Sequence, residues 1–416
     1  MAPFRAVKIS SKAVPTAEKQ DFSLPFNPST VHIRGVIGSG AYSNVYYYHD
    51  PYQDRLYAVK SQRKEDIKYR QFHHKVHVLA RFKDSRWLLS LISAFYDASS
   101  FHIVIEMHVA NLALAVTRCR LPDGCVPLDT VCYLMAEILI ALDELHARRI
   151  IHGGLGPENI LVDIHGHILL SDFGPSRDFN QLPPKHQISE ENPFRSDATF
   201  AGQGAGAYRC PLGWMGLPYS YEPDHWAMGV IMHRCLFDQC PFGIEIRDDS
   251  NSVMQAVLTE PYDLNEERDA VRPYTGDFLR RILDKSPFTR IGASAMKRHP
   301  FFADVDWDEV CRRELQGPFW HVLPENICAP TVSDEAAQTD DEPVKVEVSI
   351  ELEDCPEQIP SQPMADLSVI TEVTAGMLAS PEAKLLWTPD TSRIWIFCLL
   401  LLPLLIPLAF FTRGLQ

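Results

Sequence analysis

No two of the ten cysteines form a Cys-x-x-Cys pair, and none shares zinc-type spacing with a histidine. A disulfide scaffold and a structural zinc site are both set aside, leaving scattered thiols of a reducing compartment. Basic charge is also short. The chain carries 39 Lys and Arg against 54 Asp and Glu, a formal charge of −15. It lacks the phosphate-seeking surface of a nucleic-acid binder, so no nucleic-acid partner is expected. There is no internal repeat, and the first twenty residues never assemble the apolar stretch of roughly 7 to 15 residues that a secretory leader needs. Synthesis in the cytosol is the expectation.

Only one long apolar run is present. Residues 394–411 read IWIFCLLLLPLLIPLAFF without a charge, and as a helix they would span about 27 Å, close to a hydrocarbon core. Pro403 and Pro407 argue against a straight soluble helix and are tolerated in membranes. A single-pass carboxyl-terminal anchor with the bulk of the chain facing the cytosol is expected. Arg393 and Arg413 flank the run one on each side, so charge assigns no organelle.

Composition divides the rest into an extension over 1–30, a globular region over 31–310, and a tail and linker over 311–393. Residues 332–357 carry ten acids against the single Lys345, which reads as a solvated linker suited to a basic partner and kept away from anionic headgroups. Within it, residues 344–352 alternate as VKVEVSIEL, the period of a half-buried strand. The globular region opens with short β-like runs (VHIRGVIG, NVYYYHD, LYAVK, FHIVIEM) and continues with helix-period segments. A small β-rich lobe over 31–108 and a larger helical lobe over 109–310 follow, an α+β fold.

The globular region also carries motifs with chemical meaning. Gly38, Ser39 and Gly40 stand between two β-like runs, where backbone amides can approach a phosphate closely. Tyr57-Ala58-Val59-Lys60 ends a strand in a lysine placed to reach phosphates. Residues 151–162 read IHGGLGPENILV and residues 168–174 read ILLSDFG. Asn159 and Asp172, thirteen residues apart across a hairpin, supply two oxygens of the kind a phosphate-bound Mg²⁺ takes.

Order and spacing of these motifs resemble the protein kinase set of Gly-rich loop, strand lysine, catalytic loop and DFG. Asp224 to Gly229 (DHWAMG), Arg290, His299 to Phe302 and Val305-Asp306-Trp307 continue the likeness, the last toward the cAMP-dependent and related (AGC) group. The resemblance implies a bilobal kinase fold over about two thirds of the chain. It also implies ATP and Mg²⁺ as ligands and protein partners in signalling. Ile37, Gly38, Ser39 and Gly40 would form the loop over the phosphates. Val45, Ala58 and Leu161 match the residues that sandwich adenine, Ile105 the gatekeeper, and Glu106 and Met107 the hinge. Lys60 matches the strand lysine, with Asn159 and Asp172 as metal ligands. Leu79, Leu91, His152 and Phe173, above Asp224, match a stacked hydrophobic spine.

The departures fall where chemistry is done. The family's catalytic loop reads HRDLKPEN, its Asp accepting the substrate hydroxyl proton and its Lys neutralising the phosphoryl group in flight. Here it reads HGGLGPEN: Gly154 leaves the base position vacant, Gly156 leaves the lysine position vacant, and Gly153 replaces the arginine. Loss of a general base is worth about 10² to 10⁴ in rate. On the helix whose glutamate should pair with Lys60, the position is Lys75, and Gln71, Phe72, Val78 and Leu79 nearby recover no acid. Two ammonium groups about 4 Å apart repel by roughly 4 kcal/mol at an effective dielectric of 20, so Lys75 is expected to swing to solvent or the helix to sit outward. Leu212 replaces the glutamate that would pair with Arg290, and Thr199 sits as an activation-loop phosphosite whose receiving arginine is Gly153. Pro318-Phe319-Trp320 is a faint match to the aromatic tail motif that folds back on the small lobe.

The leading expectation is a membrane-tethered pseudokinase acting through conformation and partner binding. The alternative is an active but atypical serine/threonine kinase, with Glu158 or Asp163 as replacement base; other nucleotidyl chemistry in the same cleft stands behind both.

Overall fold

The computed structural model describes residues 32–39, 43–50, 55–181, 206–216, 219–244, 249–262, 264 and 274–322. All lie in the first of the two units into which the chain divides, Met1–Met364. Gly40, Thr199, the strand-like 344–352 and the apolar run 394–411 lie outside the described residues. Among the described residues no helix is long and apolar enough to cross a membrane.

The small lobe is an antiparallel sheet of β1 His32–Ser39, β2 Asn44–Asp50, β3 Arg55–Arg63, β4 Ser93–Tyr96 and β5 Ser100–Glu106, in the order β1-β2-β3-β5-β4. Alternation along β3 sorts its side chains by face. Tyr57 and Val59 join Phe95 and Val104 in a buried cluster with Tyr48 and Ile92 against it. Ala58, Lys60 and Gln62 therefore share the opposite face, and this one strand aims both a wall and two polar groups at the cleft.

One helix, α1 Tyr69–Ala80, crosses the sheet and buries Phe72, Val76, Val78 and Leu79. Phe72 stacks on Phe101 of β5 with ring centroids 4.6 Å apart. Positions 72, 75, 76 and 79 form one helical stripe, so Lys75 belongs to the inward face by its spacing.

In the large lobe the central helix α3 Leu128–Ala147 is apolar nearly all round and buried along its length. It follows β6 Ala110–Asn111 and α2 Leu112–Cys119, and leads to β7 Ile150–Ile151, β8 Ile160–Val162, β9 Ile168–Leu170 and β10 Arg177–Asp178. Buried Glu137 of α3 fixes the β8–β9 hairpin: one oxygen lies 2.6 Å from His167 Nδ1 and the other accepts the Ile168 N–H at 3.0 Å. Beyond α4 Pro211–Trp214 come α5 Glu222–Phe237, α6 Ser250–Thr259 and α7 Thr275–Ile282. Gly229 lets α5 and α7 touch, since a Cβ there would stand 2.9 Å from both Ile282 Cγ2 and Leu283 Cδ2.

The tail from Arg313 to Trp320 lies against the β8–β9 turn rather than reaching the small-lobe helix. Arg313 donates to Asp163 Oδ2 at 2.9 Å and to the Ile168 carbonyl at 3.0 Å, and its guanidinium sits 4.3 Å over the Trp87 ring. Gly166 and Gly317 allow two backbones to cross, for a Cβ on Gly317 would fall 2.1 Å from Gly166 C. Phe319 is fully buried there, its N–H donating to Gly166 O at 3.2 Å.

Candidate functional site

The cleft floor is organised by Asp224, fully buried at the start of α5. It accepts the backbone N–H groups of His152 and Gly153, each at 2.9 Å, and lies 2.8 Å from His146 Nε2. Burial alone would raise this carboxyl, yet the hydrogen bond from His146 and the backbone donors hold it below its ordinary value. His152 is buried too, which lowers its pKa and keeps it neutral. Its Nε2–H donates to Ser171 O at 2.9 Å while Nδ1 accepts the Gly154 N–H at 3.2 Å. Of the expected spine residues, Phe173 packs on His152, 5.1 Å away, and also on Phe82 at 4.8 Å, while Leu79 is buried and its carbonyl accepts the Leu91 N–H at 3.3 Å.

Lys60 Nζ and Asp172 Oδ2 form an ion pair of 2.8 Å, and Asp172 holds a left-handed φ of +53°. The amide of Asn159 donates to Gly154 O at 2.8 Å, tying the ends of the loop. Lys60 and Asp172 thus meet directly, and Asn159 is held beside them, its carbonyl accepting the Ser171 N–H at 2.9 Å. Val45 of β2 faces Lys60 across the strand pair, Ala58 faces Ile105, and Glu106 faces Tyr57, with Met107 just beyond β5 and Leu161 on β8. Ile37 and Gly38 lie exposed on β1, and Ser39 ends that strand.

Lys75 corrects the expectation. It neither swings to solvent nor pushes the helix away: its Nζ donates to Gln62 Oε1 at 2.9 Å, from the same face of β3 as Lys60. Its inward place on the α1 stripe leaves no route outward, and the neutral amide satisfies it without neutralising its charge. Burial lowers the ammonium to about 8, against the pull of Asp172 and together with the Lys60 charge. A Cβ on Gly174 would stand 2.9 Å from Lys75 Cε and 3.3 Å from both Lys75 Nζ and Asp172 Oδ1. Asp172 therefore pairs with Lys60 and has a second ammonium, that of Lys75, close by. Burial would raise its carboxyl, but the charges of Lys60 and Lys75 hold it low. The helix is drawn in by two further contacts: His74 Nε2 lies 2.9 Å from Ser176 O, and Arg81 pairs with Asp178 at 2.5 Å.

The catalytic-loop positions differ in how closed they are. A Cβ on Gly154 would fall 2.7 Å from Pro175 Cγ, so the proline ring after DFG occupies the space a side chain would need. Gly153 holds φ +68°, a backbone that an L side chain adopts with strain. Gly156 is open apart from Glu158 Oε2 at 3.4 Å from its Cβ position. Of the two candidate replacement bases, Asp163 is corrected: it accepts the His165 and His167 N–H groups at 2.9 and 3.0 Å and pairs with Arg313, outside the cleft chemistry. Glu158 is exposed beside the loop. Leu212 is buried, and Arg290 turns to the carbonyls of Asp284 at 2.7 Å and Lys285 at 3.3 Å and to the Trp226 ring at 5.1 Å.

Sequence reasoning missed Gln62, Pro175 and His108. The i+2 spacing from Lys60 could have found Gln62. His108 Nδ1 lies 2.8 Å from Glu106 O and engages a hinge carbonyl from within the hinge itself. Asp172 and Asn159 are hard oxygen donors suited to Mg²⁺, but a cation at Asp172 would meet the ammonium paired there and a second one close by, and the donor set fits it poorly.

A family model, the protein kinase domain, matches residues 31–302. The chain belongs to the protein kinase family. Among curated relatives it is 28% identical over 310 residues to serine/threonine-protein kinase gad8 of Schizosaccharomyces pombe, covering 72% of this chain and 50% of that protein. It is 28% identical over 306 residues to ribosomal protein S6 kinase 2 alpha of Gallus gallus, covering 70% and 37%. With the human ribosomal protein S6 kinase alpha-6 it shares 27% over 304 residues, again 70% and 37%. The chain spans half or less of the length of these relatives. The two-lobed kinase fold and the cleft between sheet and helices are those of the family.

Proposed function

We propose that this protein kinase family member is a pseudokinase, held at a membrane by residues 394–411 with its kinase domain on the cytosolic side, and acting on signalling partners through its conformation. The observation that carries this reading is the packing at position 154. No side chain is there to accept a proton, and the Pro175 ring fills the place at 2.7 Å from where a Cβ would begin. Vacancy at Gly156 removes the charge partner as well. General-base loss of about 10² to 10⁴ compounds with that loss of transition-state stabilisation.

Nucleotide recognition is part of the proposal. Ala58 is buried as an adenine wall, Val45 and Leu161 are half-buried, and Lys60 is positioned by Asp172. Docked α1 and the packing of Phe173 on His152 support a kinase-like shape that a partner could read. The named activities of the relatives are phosphoryl transfers, and the vacant loop is where this chain departs from the family pattern quoted above.

The test is a radiolabelled ATP transfer assay on the purified full chain, with Asp172→Ala as matched control and a serine/threonine peptide mixture as acceptor. No incorporation above the control is expected. Incorporation above it would sink the reading and make Glu158 the base to examine.

A further inference from the structure

The charge around Asp172 is inverted relative to the family pattern quoted above. At the strand lysine, helix acid, loop base, loop lysine and DFG positions stand Lys60, Lys75, Gly154, Gly156 and Asp172. They hold two ammoniums against one carboxylate, where the pattern holds two against three. The difference is two positive charges, the charge of one divalent cation.

Geometry puts both ammoniums in the neighbourhood of the Asp172 carboxylate. Lys60 Nζ contacts Asp172 Oδ2 at 2.8 Å. Lys75 Nζ and Asp172 Oδ1 approach a common point, the Cβ position of Gly174, at 3.3 Å each. Lys75 is held there by Gln62 Oε1 at 2.9 Å, a neutral acceptor that leaves the positive charge uncompensated. An ammonium brings three donors to phosphate oxygens. A divalent ion entering at Asp172 would meet two like charges instead.

We infer that this cleft binds the polyphosphate of a purine nucleotide without a divalent cation, Lys75 together with Lys60 supplying the positive charge. The inference rests on the nucleotide-cleft part of the reading above. It sorts the lysine on α1 as a ligand-binding group rather than a defect.

The measurement is isothermal titration of the full chain in detergent micelles with ATP, in excess EDTA and in excess MgCl₂. The dissociation constant in EDTA is expected to equal that in MgCl₂ within threefold or to be tighter. Lys75→Met, with an unchanged melting curve, is expected to weaken binding in EDTA at least tenfold, and Lys75→Glu to make binding depend on added Mg²⁺. Wild-type binding seen only with Mg²⁺ overturns the inference and leaves the nucleotide cleft standing. A folded Lys75→Met variant that binds in EDTA as the wild type does also overturns it. Absence of binding in both buffers removes inference and nucleotide cleft together. Should the variants fail to fold, the wild-type comparison alone decides.

Discussion

Position 154 shows how a missing side chain becomes part of the packing. Gly154→Ala is expected to lower unfolding stability by about 1–3 kcal/mol, the range for overpacking a filled site, because its methyl would meet Pro175 Cγ at 2.7 Å. In a Pro175→Ala background most of that loss should vanish, and a denaturant-unfolding double-mutant cycle reads the coupling directly. An uncoupled pair would show that the proline is not what closes the position. The absence of a base was legible in HGGLGPEN, but its filling was not, since nothing local links residue 154 to residue 175. Lys75 teaches a related lesson. Repulsion from Lys60 suggested that it must leave, yet its place in the Phe72, Val76, Leu79 stripe already set its direction, and Gln62, two residues beyond Lys60, supplied the acceptor.

Helix α5 is the element on which the loop depends, and it carries a pH liability. His225 is buried beside Asp224, with Nε2 unpartnered among the described residues. Burial, joined by the His146 charge, lowers it from 6.5 to about 3. The unfolded chain therefore takes up a proton first as pH falls below 6.5, and stability drains away from there down to about 3. His225→Val should remove that loss. Between pH 7 and pH 5 the wild type is expected to lose about 2 kcal/mol more stability than the variant, measured by urea unfolding at each pH. Parallel pH profiles would mean the imidazole is not held neutral. At this scale the strands and the helical lobe were readable from period, whereas the spine residues came only from the family resemblance. The tail was not: Pro318-Phe319-Trp320 resembled a motif bound for the small lobe, whereas Gly166 and Gly317 create a backbone crossing that holds Phe319 at the β8–β9 turn. Glycine pairs distant in sequence give no local sign that they will meet.

For the whole molecule the proposed tether is the feature to test. The full chain is expected to float with phosphatidylcholine vesicles and to resist alkaline extraction, while a chain ending at Arg393 should stay in the soluble fraction; flotation of both would move membrane attachment elsewhere. The family and its two lobes could be read from the sequence across about two thirds of the chain, because motif order survives even where single chemical groups do not. The charge inversion around Asp172 could be counted from the sequence, but its meaning needed the positions of Gln62 and Gly174. The fit of Pro175 over Gly154 also bears on ancestry. Gly to Asp can be a single nucleotide change, so regaining a base looks one step away. With the ring in place that step arrives destabilised, and on the proposed reading removing the ring first gains nothing, so selection has no favourable first move. On that reading the vacancy at position 154 works as a ratchet.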